Sequence, residues 1–204
     1  MALRIAVLLS GSGSTLQNIL DHIERGVLDA EVVCVAASRR DAYGLVRAEK
    51  HGIPARPFPR KDYDDLAAFN TDIWAYIREH NVELVVLAGF MSLLEIPKDY
   101  VHKIINVHPA LIPAFCGKGM YGHHVHEAVL AYGAKLTGVT VHFVDEHYDN
   151  GPIIMQAAVP VQENDTPESL AERVMAKERE LYPKAIQYIA ENRVQVDGRI
   201  VRIR

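Results

Sequence analysis

Apolar residues along the chain fall into two alternating periods. Arg4-Ile-Ala-Val-Leu-Leu9 is a short continuous apolar run, the pattern of a strand buried on both faces. Val32-Val-Cys-Val-Ala-Ala37, Leu84-Val-Val-Leu-Ala88 and Lys103-Ile-Ile-Asn-Val107 repeat it. Between these runs the spacing becomes helical. Leu16, Ile19, Leu20 and Ile23 share one helix face, and Ala42 to His51 reads as a helix with Gly52 as its stop. Asp62 to Glu79 predicts a longer helix with Leu66, Phe69, Ile73, Trp74 and Ile77 on one side. Strands alternating with helices predict a parallel sheet with right-handed crossovers. After Val107 the pattern changes. Pro109 to His124 reads as a long Gly/Pro-rich loop and His126 to Tyr132 as a short helix. Leu136 to Val144 and Pro152 to Val159 then read as two antiparallel strands. Thr166 to Ala190 is a helix capped at its start with Pro167 in first position, and Val194 to Ile203 is a strand–turn–strand around Asp197-Gly198. The prediction is an α/β fold: an open, mostly parallel, Rossmann-like sheet flanked by helices, with antiparallel strands in the C-terminal part.

Composition narrows the class without altering this picture. The 204 residues suit one domain spanning 1–204, and 49% hydrophobic with 24% charged residues supports a packed core. Cys34 and Cys116 are the only cysteines, too few for a disulfide scaffold. A formal charge of -4 offers no basic field for nucleic acid or an anionic membrane. No apolar run reaches the roughly 18 residues of a membrane span, and Met1 to Ile5 lacks the pattern of a signal peptide. A cytoplasmic chain is expected, with small-molecule partners.

Ser10-Gly-Ser-Gly-Ser-Thr-Leu-Gln17 joins the first strand to the first helix. Glycines let a backbone turn sharply and approach a ligand, and a helix start offers N–H groups and the positive dipole end. Gly11, Ser12 and Gly13, with hydroxyls from Ser14 and Thr15, therefore read as a phosphate site. Leu16 stands where a dinucleotide fingerprint needs its third glycine, and no Gly-Lys-Ser/Thr follows. A phosphate monoester fits better than a pyrophosphate. Arg39 and Arg40 keep a NADP enzyme as a weaker alternative.

Seven of the 10 histidines lie between residues 102 and 147. Asn106 and His108 stand two apart at a strand end, so both side chains take the same face of the sheet. An Asn amide can donate to a developing oxyanion, and a His exchanges protons near neutral pH. A carboxylate is wanted to favour the imidazolium; Asp149, Asp145 and Glu146 are all candidates. His123, His124, His126 and Glu127 lack the spacing of a zinc motif, so no metal site is expected. No serine elbow is present, which argues against a hydrolase triad.

Ser10-Gly-Ser-Gly-Ser, Val86-Leu-Ala-Gly-Phe-Met91, Ile105-Asn-Val-His-Pro-Ala-Leu-Ile-Pro113, Thr140-Val-His-Phe-Val144 and Asp149-Asn-Gly-Pro-Ile153 together resemble the folate-dependent phosphoribosylglycinamide formyltransferase family. The resemblance spans nearly the whole chain in order. It implies transfer of the formyl group of 10-formyltetrahydrofolate to the amine of glycinamide ribonucleotide in purine biosynthesis. The folate is then a co-substrate and no cofactor is tightly bound. It implies Asn106, His108 and Asp149 as catalytic residues, with His142 in support. It places substrate phosphate on Gly11 to Thr15, ribose against Glu178, and folate against Phe90, Met91, Ser92, Leu93, Leu94, Val144 and Asp145. Residues 1–107 would form the phosphate-binding half and 108–204 the folate-binding and catalytic half, in a monomer or homodimer. A formyltetrahydrofolate hydrolase and a non-catalytic phosphate sensor are the competing readings.

Overall fold

The computed structural model describes all 204 residues. They form two compact units, Met1–Ile104 and Ile105–Arg204. No helix is long and apolar enough to cross a membrane.

The first unit holds four parallel strands: β1 (Leu3–Leu9), β2 (Ala30–Ala37), β3 (Ala55–Pro57) and β4 (Leu84–Ala88), in the order β3-β2-β1-β4. β1 is central, paired with β4 from Ile5↔Leu84 to Leu9↔Ala88 and with β2 on its other side. Ile5 to Leu9 are fully buried, as a continuous apolar run between two helical layers requires. Helices α1 (Ser14–Glu24), α2 (Tyr43–Lys50) and α3 (Leu66–Glu79) make the connections. α1 buries Leu16, Ile19 and Leu20, at the i, i+3, i+4 spacing of one face.

Two expectations need correction here. α3 begins at Leu66, not at Asp62, because Asp65 is its N-cap and accepts the Ala68 N–H at 2.7 Å. Residues 60–62 form a separate 3₁₀ turn. β3 carries no strand signal in the sequence, because Pro54 and Pro59 flank it, Pro57 ends it and Arg56 interrupts any apolar run.

β5 (Ile104–His108), from Ile105 onward in the second unit, is followed there by β6 (Leu136–Phe143) and β7 (Ile153–Pro160), antiparallel in that order. Asn106 pairs with His142 and His108 with Thr140 across β5 and β6. α4 (His123–Tyr132) and α5 (Pro167–Ala190) pack on each other, and α5 also covers β6 and β7. α4 starts three residues earlier than its apolar spacing indicates, since its first turn is spent on exposed His123 and His124. Thr166 is the N-cap of α5, and it bonds reciprocally with Ser169 in a capping box. Its buried Tyr182 donates to the Ile105 carbonyl at 3.1 Å and fixes helix against strand. β8 (Val194–Asp197) and β9 (Ile200–Ile203) close the chain as the expected hairpin, with Gly198 at φ 58 in its turn.

Candidate active site

In the first unit the glycine loop leaves β1 at buried Ser10. The Ser10 hydroxyl oxygen accepts from Ser38 Oγ at 2.5 Å and from the Met91 N–H at 2.8 Å. Gly13 is left-handed at φ 70 and stands as the N-cap of α1. A Cβ there would lie 2.6 Å from Gly44 Cα, so α2 closes on the loop only because position 13 is glycine. Arg47 on α2 donates to the Ser12 carbonyl at 2.9 Å and to Gln17 Oε1 at 3.1 Å. α1 has no side-chain cap and no acidic residue in its first turn, the condition in which a helix start suits an anion. Nothing in the sequence points to Arg47, because its partner is a backbone carbonyl 35 residues away.

Residues 90–94 follow β4 without regular structure. Met91 is tied down by Ser10, and Glu95 by its N–H to Asn70 Oδ1 at 2.9 Å and its carbonyl to Trp74 Nε1 at 2.9 Å. Between these anchors Met91 and Leu93 stay 55% and 48% exposed, while Phe90, Ser92 and Leu94 are half-buried. Two large apolar side chains held out to water in one anchored segment make an apolar contact surface.

In the second unit Asn106, His108, His142 and Asp149 come together. Asp149 Oδ2 lies 3.4 Å from His108 Nδ1 and accepts the Gly117 N–H at 2.9 Å. Asp149 Oδ1 lies 3.4 Å from Asn106 Nδ2 and 3.7 Å from His142 Nε2. Of the three candidate acids, Asp149 is the one that reaches His108. Asp145, half-buried after Val144, is engaged inside its own loop: its carboxylate accepts from the His147 N–H at 2.8 Å and from Asn150 Nδ2 at 2.7 Å. Glu146 is exposed. Glu178 is half-buried on α5, one turn before Tyr182.

Backbone carbonyls fix the protons on both rings. His108 Nε2–H donates to the Phe115 carbonyl at 2.8 Å, and His142 Nδ1–H donates to the Phe143 carbonyl at 2.7 Å. His142 Nε2 is then free to accept from Asn106 Nδ2 at 3.3 Å. On His108 the exchangeable position is Nδ1, the nitrogen facing Asp149. Burial pushes the His108 pKa below that of an ordinary imidazole; Asp149 and the Phe115 carbonyl pull it upward but do not prevail. Burial also raises Asp149, yet the facing His142 and His108 rings and the Gly117 N–H outweigh it and hold the carboxyl below its ordinary range. The resting pair is therefore a carboxylate beside a neutral imidazole. Asp149 acts in favour of the imidazolium, but the ring is only 3% exposed and desolvation is the larger force.

The other histidines separate clearly. His102, His123, His124 and His147 are exposed. No group of three or more His, Cys, Asp or Glu side chains is arranged to hold a metal ion. His126 is 4% exposed, its Nδ1 has no hydrogen-bond partner, and burial lowers its pKa ahead of the nearby His123. A lowered folded-state pKa means that the unfolded chain binds more protons below about 6.5. The stability from neutral His126 and His108 is thus fully present above that pH and is lost as pH falls toward their folded-state values. Asp149 is also lowered, but its contribution is lost only in the lower carboxylate window. The melting temperature should drop between about pH 7.5 and pH 5, with a shallower drop in His126→Leu. Thermal unfolding of both proteins across that range checks it; identical slopes would remove His126 from the explanation.

The site also uses groups that side-chain patterns do not reveal. The Phe115 carbonyl and Gly117 N–H flank Cys116 and hold His108 and Asp149 respectively. Thr140 fastens the start of the same loop, accepting from the Ile112 N–H at 3.1 Å and donating to the Ala110 carbonyl at 2.7 Å.

Residues 3–186 match the family model described as formyl transferase, and the chain belongs to the formyl transferase family. Its relatives there include phosphoribosylglycinamide formyltransferases. A crystal structure of glycinamide ribonucleotide transformylase 1 from Symbiobacterium toebii superposes with a TM-score of 0.93 at 43% identity, covering 99% of this chain and 94% of that one. The phosphoribosylglycinamide formyltransferase of Haemophilus influenzae is 36% identical over 95% of this chain and 90% of its own. The chloroplastic phosphoribosylglycinamide formyltransferase of Vigna unguiculata is 39% identical over 94% of this chain. The chain spans 62% of that plant protein's length.

Proposed function

We propose that the chain transfers the formyl group of 10-formyltetrahydrofolate to the amine of glycinamide ribonucleotide, giving formylglycinamide ribonucleotide and tetrahydrofolate in de novo purine biosynthesis. The observation that carries the reading is the Asn106–His108–Asp149 arrangement, within a chain of the formyl transferase family. In the first unit, Gly11, Ser12, Gly13, Ser14 and Thr15 take the substrate phosphate, and Phe90, Met91, Ser92, Leu93 and Leu94 supply folate contacts. In the second, Glu178 meets the ribose, and Val144 and Asp145 meet the pterin.

The chemistry follows from the proton positions. The substrate amine attacks the formyl carbon, a new C–N bond forms, and the carbonyl oxygen becomes an oxyanion. Asn106 Nδ2 donates to that oxygen. His108 Nε2–H, which now rests on the Phe115 carbonyl, also turns to it, because an oxyanion is the stronger acceptor. As charge develops, the His108 Nδ1 position facing Asp149 takes up a proton and the ring becomes an imidazolium paired with the carboxylate. The bond from the formyl carbon to the folate nitrogen then breaks. The net proton movement is from the attacking amine to that nitrogen, passed through Asp149 and His108. His142 keeps Asn106 and Asp149 aligned.

This reading carries with it a cytoplasmic chain working on small molecules as a monomer or homodimer, without nucleic acid, membrane, metal or tightly bound cofactor. Its test is an assay of tetrahydrofolate release with each substrate omitted in turn. Release should require glycinamide ribonucleotide. Equal release without it would identify a hydrolase, and no release with both would leave a binding protein.

A further inference from the structure

The terminal hairpin lies beyond residues 3–186, the part of the chain that the family model matches, yet it reaches the segment that carries Asp149. Asp149 stands in the connection from β6 to β7 at φ 52, a left-handed conformation unusual for a residue with a side chain. Such a conformation persists only where surrounding contacts enforce it. Three local features do so on the segment's own side: Asp145 accepts from the His147 N–H and from the Asn150 amide, and Gly151 lies flush against the Phe143 carbonyl. The fourth comes from a distance. The Arg199 guanidinium, just past the Gly198 turn, donates to the Asn150 carbonyl at 2.7 Å. Asn150 directly follows Asp149, so this bond holds the Asn150–Gly151 peptide, one residue past the Cα that bears the carboxylate. Arg199 forms no ion pair, although acidic Asp197 stands two residues away; Asp197 pairs with Arg202 instead, at 3.1 Å.

We propose that Arg199 is a positioning residue: through the Asn150 carbonyl, the β8–β9 turn braces the 145–151 segment so that Asp149 keeps its place between His108, Asn106 and the Gly117 N–H. The role rests on the formyl-transfer reading only in so far as Asp149 acts in that reaction. Arg199 is exposed and contacts none of the proposed substrate residues. Its loss therefore leaves affinity for the ribonucleotide alone and loosens the reacting geometry. Small displacements of a catalytic group lower turnover by up to about 100-fold.

The test compares the full-length protein with Arg199→Met and Arg199→Lys. For Arg199→Met, kcat should fall by about 10- to 100-fold, with KM for glycinamide ribonucleotide and the melting temperature unchanged. Arg199→Lys, whose ammonium still donates to a carbonyl, should recover most of the loss. A second readout needs no turnover: the NMR titration of the His108 ring. Burial and His142 push that titration down while Asp149 and the Phe115 carbonyl pull it upward, so a displaced Asp149 should shift the midpoint to lower pH in Arg199→Met but not in Arg199→Lys. The NMR result stands even if the chain proves not to transfer formyl groups, which separates failure of the brace from failure of the functional reading. A wild-type His108 titration in Arg199→Met would overturn the proposal. So would a matching loss of KM, kcat and melting temperature that Lys does not restore.

Discussion

Asp149→Asn should reduce kcat for formyl transfer by roughly 10²- to 10⁴-fold, the usual worth of a positioned acid–base group, while the chain remains folded. The substitution keeps the size of the side chain and one oxygen to accept the Gly117 N–H. It changes what His108 sees. In the wild type, His108 Nδ1 faces a carboxylate oxygen at 3.4 Å, so a proton arriving on Nδ1 completes an ion pair. In the variant the oxygen that keeps the Gly117 N–H is also the atom facing that nitrogen, and as a neutral amide oxygen it offers an arriving proton no ion pair. The second proton is then disfavoured, just when the oxyanion needs an imidazolium beside it. Burial already lowers the His108 pKa, and Asp149 is the first force opposing that shift. Removing the charge leaves burial with little opposition. Steady-state kinetics with a melting curve check the prediction. A variant as active as wild type would remove Asp149 from the proton path.

Gly151→Ala should damage both fold and turnover, for a different reason. Gly151 has no left-handed φ, so backbone freedom is not the issue; space is. A Cβ at this position would lie 1.8 Å from the Phe143 carbonyl oxygen and 2.7 Å from its carbon. These are backbone atoms of the last residue of β6, already tied by the Phe143 N–H to the Pro152 carbonyl at 2.9 Å. They cannot swing aside as a flexible side chain would, so the 145–151 segment must lift. Overpacking of this kind costs about 1–3 kcal/mol. For a chain of this size that corresponds to roughly 2–4 °C in melting temperature for each kcal/mol. Turnover falls as well, because Asp149 is two residues away on the segment that moves. Gly11→Ala is the control for stability: nothing lies within 4 Å of its added Cβ, so the melting temperature should not change. Equal melting temperatures for wild type and Gly151→Ala would show that the segment can yield.

The elements legible in the sequence are those whose burial repeats at a regular period. β1, β4 and the Asp197-Gly198 hairpin follow the apolar and turn patterns within a residue or two. The ends that were misread are those set by one polar atom or by prolines. Asp62, Asp64 and Asp65 could each cap α3 by type, and only the contact with the Ala68 N–H selects Asp65. The first turn of α4 buries only Val125 and His126, so its start carries no apolar signal.

The site divides in the same way. Period two already places Asn106 and His108 on one face, and the structure joins them through Asp149. The choice of Asp149 over Asp145 and Glu146 is invisible to spacing, because it depends on where the β6–β7 connection folds back. The Phe115 carbonyl and Gly117 N–H carry no residue-type signal, since any residue supplies those groups. The neutral resting state of His108 was likewise unreadable, because desolvation depends on packing that local sequence does not record.

The most direct measurement follows the formyl carbon itself. When 10-formyltetrahydrofolate labelled with ¹³C in the formyl group is mixed with the protein and glycinamide ribonucleotide, the label should appear in the amide of formylglycinamide ribonucleotide, one for each tetrahydrofolate released. Label recovered as free formate, with the ribonucleotide unchanged, would contradict formyl transfer to the amine.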